Sequence, residues 1–369
     1  MVKYSNECPI CGGAMAEMID MPRYPLTEMY EPFDENFLDR GYADQGFLFC
    51  NPCTHGKLET VVPPEMLYGP GYRTRTAGSS GARLAVERFA KFVAETDLSG
   101  VSTVIDIGGN DSTLVDLFPM RRIVVDPNAS GEAELIKSFV EDADLGDVKR
   151  LRKLVLSSHT LEHIERPAAF FEKLASVMCH DDWLAIQVPS LEHLLRDARI
   201  DHIHHQHIHY FSLSSLWKLL RKFGFEVYRH DYDPLHYGAL MVMCRKGTSF
   251  PASAQILASD IWDAYERFKA RLSVIEVPEK SIGFGAALML PVLAYHLPEL
   301  KQISYIADND KSKHGLRYVN FNKRISCNYD LAGRDVVITG IATKMAARAL
   351  VTEAFQKGAR NVIVPLAAL

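Results

Sequence analysis

Residues 103–118 read TVIDIGGNDSTLVDLF, and this stretch decides the fold. A short apolar, β-branched run contains Asp106 and leads directly into Gly108 and Gly109. A buried strand that ends in glycines and is followed by an apolar-periodic segment is typical of a nucleotide-binding strand–loop–helix unit. The glycines let the backbone approach a ligand closely. The alternative interpretation is an ordinary turn between a strand and a helix.

The next apolar run, RRIVVDPN, ends in Asp126, which is placed to accept hydrogen bonds from both hydroxyls of a ribose. The loop lacks the third glycine of a dinucleotide site, because Asp111, Ser112 and Thr113 follow instead. This spacing favours S-adenosylmethionine over NAD, since a sulfonium ligand has no pyrophosphate that requires the third glycine. The candidate cofactor-binding residues are Asp106, Gly108, Gly109, Asn110, Asp126 and His159.

Strand-like and helix-like segments alternate on both sides of this unit. An amphipathic helix is predicted at 82–96, and strands are predicted around KLVLSSHT, WLAIQVPS, FEVYRHDY and ALMVMCRKG. Helices are predicted at AAFFEKLASVM and at SLSSLWKLLRKFGF, the second capped by Ser212 or Ser214 and ended by Gly224. The alternation predicts a mostly parallel, doubly wound α/β sheet.

A polar stretch from Lys246 to about Ala254 resembles a linker. After it, SIGFGAALMLPVLAYHL reads as a second strand–glycine turn–helix unit, and QISYIADND, DVVITG and RNVIVPL supply further short strands. We therefore predict a second, smaller Rossmann-like α/β unit. The predicted domains are 1–67, 68–246 and 247–369.

Composition limits the classes of function. The chain has 369 residues, 47% of them hydrophobic, and a net charge of −5, which is ordinary globular composition. No basic tail favours nucleic acid as a partner. No apolar run reaches the roughly 18–20 residues of a membrane span, and the N-terminus lacks the apolar core of a signal peptide. We expect a cytoplasmic protein that is a monomer or a homodimer.

Four of the seven cysteines form two C-x2-C pairs, and each pair lies in a turn-forming context. Two such pairs allow four thiolates to converge on one tetrahedral Zn²⁺, and the closed shell predicts a structural metal. His55 is a less favoured substitute ligand, and two unrelated redox or core pairs are the alternative interpretation. The predicted ligands are Cys8, Cys11, Cys50 and Cys53. The single cysteines Cys179, Cys244 and Cys327 are expected to fill the core.

Histidines are concentrated in DHIHHQHIHYFS, where they occupy positions 202, 204, 205, 207 and 209. One interpretation is a general base that works near neutral pH. A second is a metal site, because His205, His207 and His209 share one face of an extended segment. A solvated polar loop is the third. His163, in HTLEHI, lies at a strand end where pocket residues collect, and a capping role is its alternative.

The order of these motifs, closed by HYGALMV and GFGAA, resembles the three-domain S-adenosylmethionine-dependent C-methyltransferases of nucleotide-linked keto-deoxysugars. The resemblance covers essentially the whole chain. It implies an N-terminal zinc domain, a class I methyltransferase core and a C-terminal Rossmann-like domain, with the substrate between the domains. The family loop D-x-G-S-N-D-G-T is matched from Asp106 to Thr113 except at Gly109 and Ser112.

The family's active-site segment is Tyr-His-Glu-His followed by an aromatic residue and Ser. Here His204 stands at the tyrosine position, Gln206 at the glutamate position, and His207 retains the second histidine. The implied reaction removes a proton beside a ketone and methylates the enolate. Because an amide does not titrate, His207 is the candidate base, and His204 or His163 would assist at the oxygen. Tyr72 is the expected match to a family substrate tyrosine, with Tyr68 as its rival.

The C-terminal loop departs from the family, which has a lysine shortly after G-Y-G-A-A, where this chain has Leu288-Met289-Leu290. The leading hypothesis is therefore C-methylation of a nucleotide-linked keto-deoxysugar with S-adenosylmethionine and structural zinc. A different acceptor, methylated on oxygen or on a non-sugar carbon acid, is the second. A catalytically silent or metal-binding relative on the same scaffold is the third.

Overall fold

The computed structural model describes residues 3–67, 80–247, 255–340 and 343–366. The predicted linker lies mostly outside these ranges, as do Tyr68 and Tyr72. The N-terminal unit is mainly antiparallel sheet, most of which the sequence analysis did not predict. Its elements are β1 (Lys3–Tyr4), β2 (Ala16–Pro25), β3 (Tyr30–Pro32), β4 (Tyr42–Cys50), β5 (His55–Leu58), β6 (Thr60–Val61) and α1 (Pro64–Leu67).

The central unit is a seven-stranded α/β sheet. Its helices are α2 (Ser80–Ala94), α3 (Pro167–Val177), α4 (Leu191–Arg196) and α5 (Leu213–Lys222). Its strands are β7 (Thr103–Ile107), β8 (Arg121–Val125), β9 (Glu134–Ile136), β10 (Lys153–Ser158), β11 (Trp183–Val188), β13 (Phe225–Asp233) and β14 (Ala239–Lys246). The short strand β12 (His209–Tyr210) lies in the same segment of chain but belongs to another sheet.

The strand order of this sheet is β13-β14-β11-β10-β7-β8-β9. Strands β7 to β11 run parallel to one another, while β14 runs antiparallel to both β11 and β13. The order reverses between β7 and β10, so the crevice beyond their carboxyl ends is a topological switch point, where α/β sheets bind ligands. The predicted class I core is confirmed, with β14 as the one strand of this sheet that runs against the others.

Local sequence explains how α5 begins. Ser212 is its N-cap, and its hydroxyl accepts a hydrogen bond from the backbone N–H of Ser215 at 2.9 Å, while the Ser215 hydroxyl accepts from the Ser212 N–H. This reciprocal pair is a capping box, and it selects Ser212 over Ser214. The helix ends before Gly224, whose φ of +75° suits a residue without a Cβ.

The C-terminal unit is a second α/β layer, as the sequence predicts. Its five-stranded parallel sheet has the order β18-β16-β15-β19-β20. Its elements are α6 (Ala258–Leu272), β15 (Ile282–Phe284), α7 (Leu290–His296), β16 (Ile306–Ala307), β17 (Leu316–Tyr318), β18 (Ile325–Ser326), β19 (Asp335–Ile338), α8 (Lys344–Gln356) and β20 (Asn361–Ile363).

Two pieces of the later units complete sheets of the N-terminal unit. Strand β12 pairs antiparallel with β5, which gives a four-stranded sheet in the order β12-β5-β4-β2. Strand β17 pairs with β3, and the buried guanidinium of Arg317 bonds Glu31 Oε1 at 2.9 Å and the Asp34 carbonyl at 2.8 Å. Backbone pairing therefore joins the N-terminal unit to both of the others.

Tyr24 lies where all three units meet. Its hydroxyl donates to the backbone carbonyl of Ile203 at 2.7 Å, and its ring packs edge-on against Tyr295 and His296 of α7. His296 also packs edge-on against Phe268. Burial lowers the pKa of His296 to about 4, although the charge of Asp201 acts in the opposite direction.

This interface should make stability depend on pH. The His296 pKa is near 6.5 in the unfolded chain and lower in the fold, so its contribution is complete above pH 6.5 and is lost as the pH falls towards 4. We expect His296→Gln to reduce the loss of unfolding free energy between pH 7 and pH 5 by up to about 2 kcal/mol. Urea unfolding at both pH values measures this, with exposed His180→Gln as the control. An unchanged pH dependence in His296→Gln would contradict it.

Candidate functional site

The loop after β7 has no space for a Cβ atom at either of its two glycines. Gly108 has a φ of +76°, and a Cβ there would lie 2.3 Å from the Thr160 side chain. A Cβ on Gly109 would lie 2.6 Å from Asp106 Oδ2. The Gly108 N–H donates to the Val125 carbonyl at 2.8 Å, which ties the loop to the end of β8. The backbone is therefore held close against the carboxyl ends of β7, β8 and β10, and a ligand can reach it.

The acidic side chains beside this loop fit a cationic, ribose-bearing ligand. Asp106 is buried, and among the described residues its Oδ1 has no hydrogen-bond partner. Burial raises the pKa of Asp106 well above its usual range, and the charges of Asp126 and Asp111 raise it further. Asp126 follows β8, and its Oδ1 accepts from the Asn128 N–H at 2.6 Å. Asn110 and His159 flank the same crevice in left-handed conformations, with φ of 53° and 51°.

The four paired cysteines converge. One Sγ from each of Cys8, Cys11, Cys50 and Cys53 lies within 4.8 Å of the others, and Cys11 Sγ is 3.7 Å from Cys50 Sγ. A tetrahedron with Zn–S bonds of about 2.3 Å has sulfur–sulfur edges of about 3.8 Å, so the donor set fits zinc. All four are free cysteines. Without a cation, burial raises the pKa of Cys50 to about 11. The neighbouring thiols oppose its ionisation and raise this pKa too.

The cysteine cluster contacts the central unit at α5. The Thr54 hydroxyl lies 2.8 Å from the Ser212 hydroxyl, which caps that helix. Lys218 and Lys222 of α5 donate to the carbonyls of Pro52 and Ile10, beside the two cysteine pairs. His55 is not part of the cluster found, since its Nε2 faces His209 Nδ1 at 3.2 Å.

The histidine segment is neither a solvated loop nor an extended strand. His204, His205 and His209 are each at most 2% exposed, and residues 205–206 form a turn before the short strand β12. His205 Nδ1 lies 3.0 Å from Gln45 Nε2, and its Nε2 lies 3.3 Å from the Tyr24 carbonyl. Because each of these rings turns to different partners, the predicted common face of His205, His207 and His209 is wrong.

His163, His204 and His207 come together beyond the end of β10. The ring centroids of His204 and His207 are 4.0 Å apart, and those of His163 and His207 are 4.9 Å apart. His163 Nδ1 lies 2.7 Å from the Gln206 carbonyl, and His204 Nδ1 lies 2.9 Å from the His202 carbonyl. A carbonyl only accepts hydrogen bonds, so Nδ1 carries the proton in both rings and each neutral ring keeps its lone pair on Nε2.

Burial keeps the imidazoles of His204 and His207 uncharged. It lowers the pKa of His207 well below its usual range, and the nearby rings of His204 and His163 lower it further. Burial likewise lowers the pKa of His204 to about 3. Among the described residues, His207 Nδ1, His204 Nε2 and Gln206 Nε2 are buried without a hydrogen-bond partner. The cluster therefore offers acceptor nitrogens and one amide donor to a ligand.

Glu162 belongs to this cluster, although the sequence analysis did not single it out. It is fully buried, its Oε1 lies 3.1 Å from His159 Nδ1, and the same oxygen lies 4.0 Å from His163 Nε2. The signal was its position between two candidate histidines in HTLEHI. Tyr237 was also missed, and its hydroxyl lies 3.4 Å from His159 Nδ1.

The predictions for the single cysteines divide. Cys244 is fully buried, as a core residue should be. Cys179 is exposed and Cys327 is intermediate in exposure, so the prediction that they fill the core is wrong. Cys179 follows the end of α3, where the chain turns towards β11 at the surface. In the parts of the chain that the structure describes, no helix is both long and apolar enough to span a bilayer.

Comparison with known proteins identifies the central unit. Residues 79–230 match the family model of a methyltransferase domain. The predicted enzyme class, an S-adenosylmethionine-dependent methyltransferase, is confirmed.

One curated relative is the C-methyltransferase NovU of Streptomyces niveus, with 25% identity over 287 residues. The alignment covers 70% of this chain and 66% of that relative, just under two thirds of its length. Solved structures similar to part of the chain include the magnesium protoporphyrin IX methyltransferase ChlM of Synechocystis PCC 6803, at 17% identity and a TM-score of 0.36. That alignment covers 49% of this chain and 91% of ChlM. The mitomycin 7-O-methyltransferase MmcR has 19% identity and a TM-score of 0.33, covering 47% and 59%.

The position of Asp126 leads to a binding prediction. We expect Asp126→Ala to weaken S-adenosylhomocysteine binding roughly 10- to 100-fold, because two hydrogen bonds to a charged carboxylate would be lost. Isothermal titration calorimetry measures the change, with exposed Asp147→Ala as the control. Equal affinity of Asp126→Ala and the wild type would remove Asp126 from the cofactor site.

Proposed function

We propose that the chain is a C-methyltransferase that methylates the carbon beside the ketone of a nucleotide-linked keto-deoxysugar. The observation that carries the proposal is the cluster of His163, His204, Gln206 and His207 beyond the carboxyl ends of the parallel strands, next to the glycine loop. The 25% sequence identity to a C-methyltransferase and the order of the motifs support the same reaction.

Proton removal is assigned to His207. When bound, S-adenosylmethionine supplies an electrophilic methyl group on a sulfonium. His207 is neutral because burial lowers its pKa, so its lone pair can accept the proton beside the ketone. The C–H electron pair would then form the enolate, and its carbon would take the methyl group as the carbon–sulfur bond breaks and S-adenosylhomocysteine leaves. The imidazolium that results is stabilised by the buried Glu162 carboxylate nearby.

Gln206 is assigned to the enolate oxygen. An amide cannot act as a base, but its Nε2 has two N–H donors, and this buried atom has no partner among the described residues. A donor aimed at the oxygen that gains charge lowers the barrier to enolate formation. In their neutral forms, His163 and His204 present lone pairs from Nε2, so they orient the site and do not donate to that oxygen. Tyr72 stays a predicted substrate contact.

The nucleotide part of the substrate is assigned to the loop after β15. The Ala286 N–H donates to Asp308 Oδ2 at 2.5 Å, and Lys313 Nζ donates to the Ala286 carbonyl at 2.8 Å. Lys313 thus brings a cation to the loop in which Leu288-Met289-Leu290 replace the family lysine. A diphosphate near this loop would interact with that charge.

The acceptor is tested with labelled S-adenosylmethionine and a panel of nucleotide-linked keto-deoxysugars. We expect methyl label on carbon, stable to alkali, for at least one member of the panel. Label that alkali removes would indicate methylation of oxygen. Absence of transfer to every keto-sugar, together with transfer to a non-sugar carbon acid, would contradict the proposed substrate class.

The role of His207 gives a kinetic prediction. His207→Ala should lower turnover about 10²-fold or more, the usual scale for loss of a general base. Single-turnover kinetics with bound S-adenosylmethionine separate this step from binding. The exposed His230→Asn is the control and should retain wild-type turnover. Near-normal turnover of His207→Ala would exclude His207 as the base.

We also propose structural zinc at the four-cysteine cluster. Cys8→Ser should remove about one equivalent of zinc and destabilise the N-terminal unit, because metal binding at such a site contributes directly to folding. Metal analysis and thermal unfolding measure both effects. Cys179→Ser changes an exposed cysteine outside the cluster and should keep both zinc and stability. Full zinc content in Cys8→Ser would show that the four-thiolate site is wrong.

A further inference from the structure

The carboxylate of Glu162 and the rings of His163 and His207 offer three metal-ligating atoms that lie within 4.8 Å of one another. Two imidazoles and one carboxylate with open positions are a ligand set for first-row divalent cations. The set differs from the cysteine cluster in its chemistry, since it contains no thiolate. It also differs from the predicted face of His205, His207 and His209, which the fold does not form.

The surroundings of these ligands are those of a metal site. A histidine that binds a metal usually donates its other ring N–H to a carbonyl or a carboxylate, which fixes the ring. His163 Nδ1 does this to the Gln206 carbonyl at 2.7 Å, so its Nε2 lone pair is directed elsewhere and lies 4.0 Å from Glu162 Oε1. The Glu162 carboxylate is fixed in turn by His159 Nδ1 at 3.1 Å.

A second observation points to a cation. Glu162 is fully buried, and its Oε2 has no hydrogen-bond partner among the described residues. The same holds for His207 Nδ1. Buried acceptors without donors are costly, and a cation satisfies several of them together. A tetrahedral ion with bonds of about 2.1 Å needs ligand atoms about 3.4 Å apart. The three ligand atoms must therefore move roughly 1 Å closer together when the ion binds.

We propose that Glu162, His163 and His207 bind a first-row divalent cation, and that this ion blocks the base. A neutral imidazole has one lone pair, so His207 cannot hold the ion and accept a proton at the same time. The inhibition rests on the proposed function, whereas the binding site does not.

Binding is tested on the zinc-loaded wild type with Mn²⁺, which suits carboxylate ligands and, as the weakest binder of the first-row series, competes poorly for four thiolates. Loss of the free-ion electron paramagnetic resonance signal should report about one Mn²⁺ per chain beyond the zinc. Glu162→Gln and His207→Asn should each weaken binding at least 10-fold, since each loses a ligand. The matched controls Glu172→Gln and His230→Asn change exposed residues and should bind as the wild type does.

Circular dichroism and zinc content establish whether each variant is folded. If Glu162→Gln, which changes a buried residue, does not fold, His207→Asn alone tests the site. No Mn²⁺ binding by the wild type, or equal binding by the folded variants, would overturn the site. In a methyl-transfer assay, Mn²⁺ should inhibit and chelation should restore activity, whereas activation would overturn the proposed block. Mn²⁺ binding is measured without turnover. The binding result therefore stands even if the enzyme does not methylate the keto-sugars.

Discussion

The pairing of β12 with β5 is the interaction on which the site depends. His209 lies opposite Lys57 and Tyr210 opposite Gly56, so the histidine segment becomes the edge of the N-terminal sheet. Gly56 is required there, because a Cβ would lie 2.6 Å from the Phe47 ring and 3.0 Å from Tyr210 Cβ. Strand β5 begins just after the second cysteine pair. The cysteine cluster therefore positions β5. Through β12, strand β5 in turn positions the turn that contains Gln206 and His207.

Burial then sets the chemistry of that turn. Backbone carbonyls accept hydrogen bonds from Nδ1 of His163 and His204, and burial lowers the pKa of His204 and of His207. The result is a pocket of neutral acceptors beside one buried carboxylate and one amide donor. Such a pocket suits the proposed proton abstraction, with Gln206 as a donor and not as a base. The same acceptors suit a cation, which is why protonation and metal binding compete at His207.

Sequence reasoning reached the elements whose signal is local. The glycine loop, Asp126, the cysteine spacing and the Ser212 cap each depend on a few adjacent residues, and all lie where the patterns predict. The place of β12 in the N-terminal sheet was missed because β12 pairs with β5 across more than 150 residues. The shape of the histidine segment was wrong for the same reason, since Gln45 and Tyr24 bury it. Glu162 was missed because its burial is decided by tertiary packing.

Removal of the proton beside the ketone separates C-methylation from methylation on oxygen. The most direct measurement incubates the enzyme in D₂O with S-adenosylhomocysteine and a keto-sugar that it methylates, and follows that carbon by NMR. The proposed mechanism predicts that the wild type exchanges deuterium into this position, and that His207→Ala does so about 10²-fold more slowly or worse. Methyl transfer without any exchange, or equal exchange rates in the two enzymes, would contradict it.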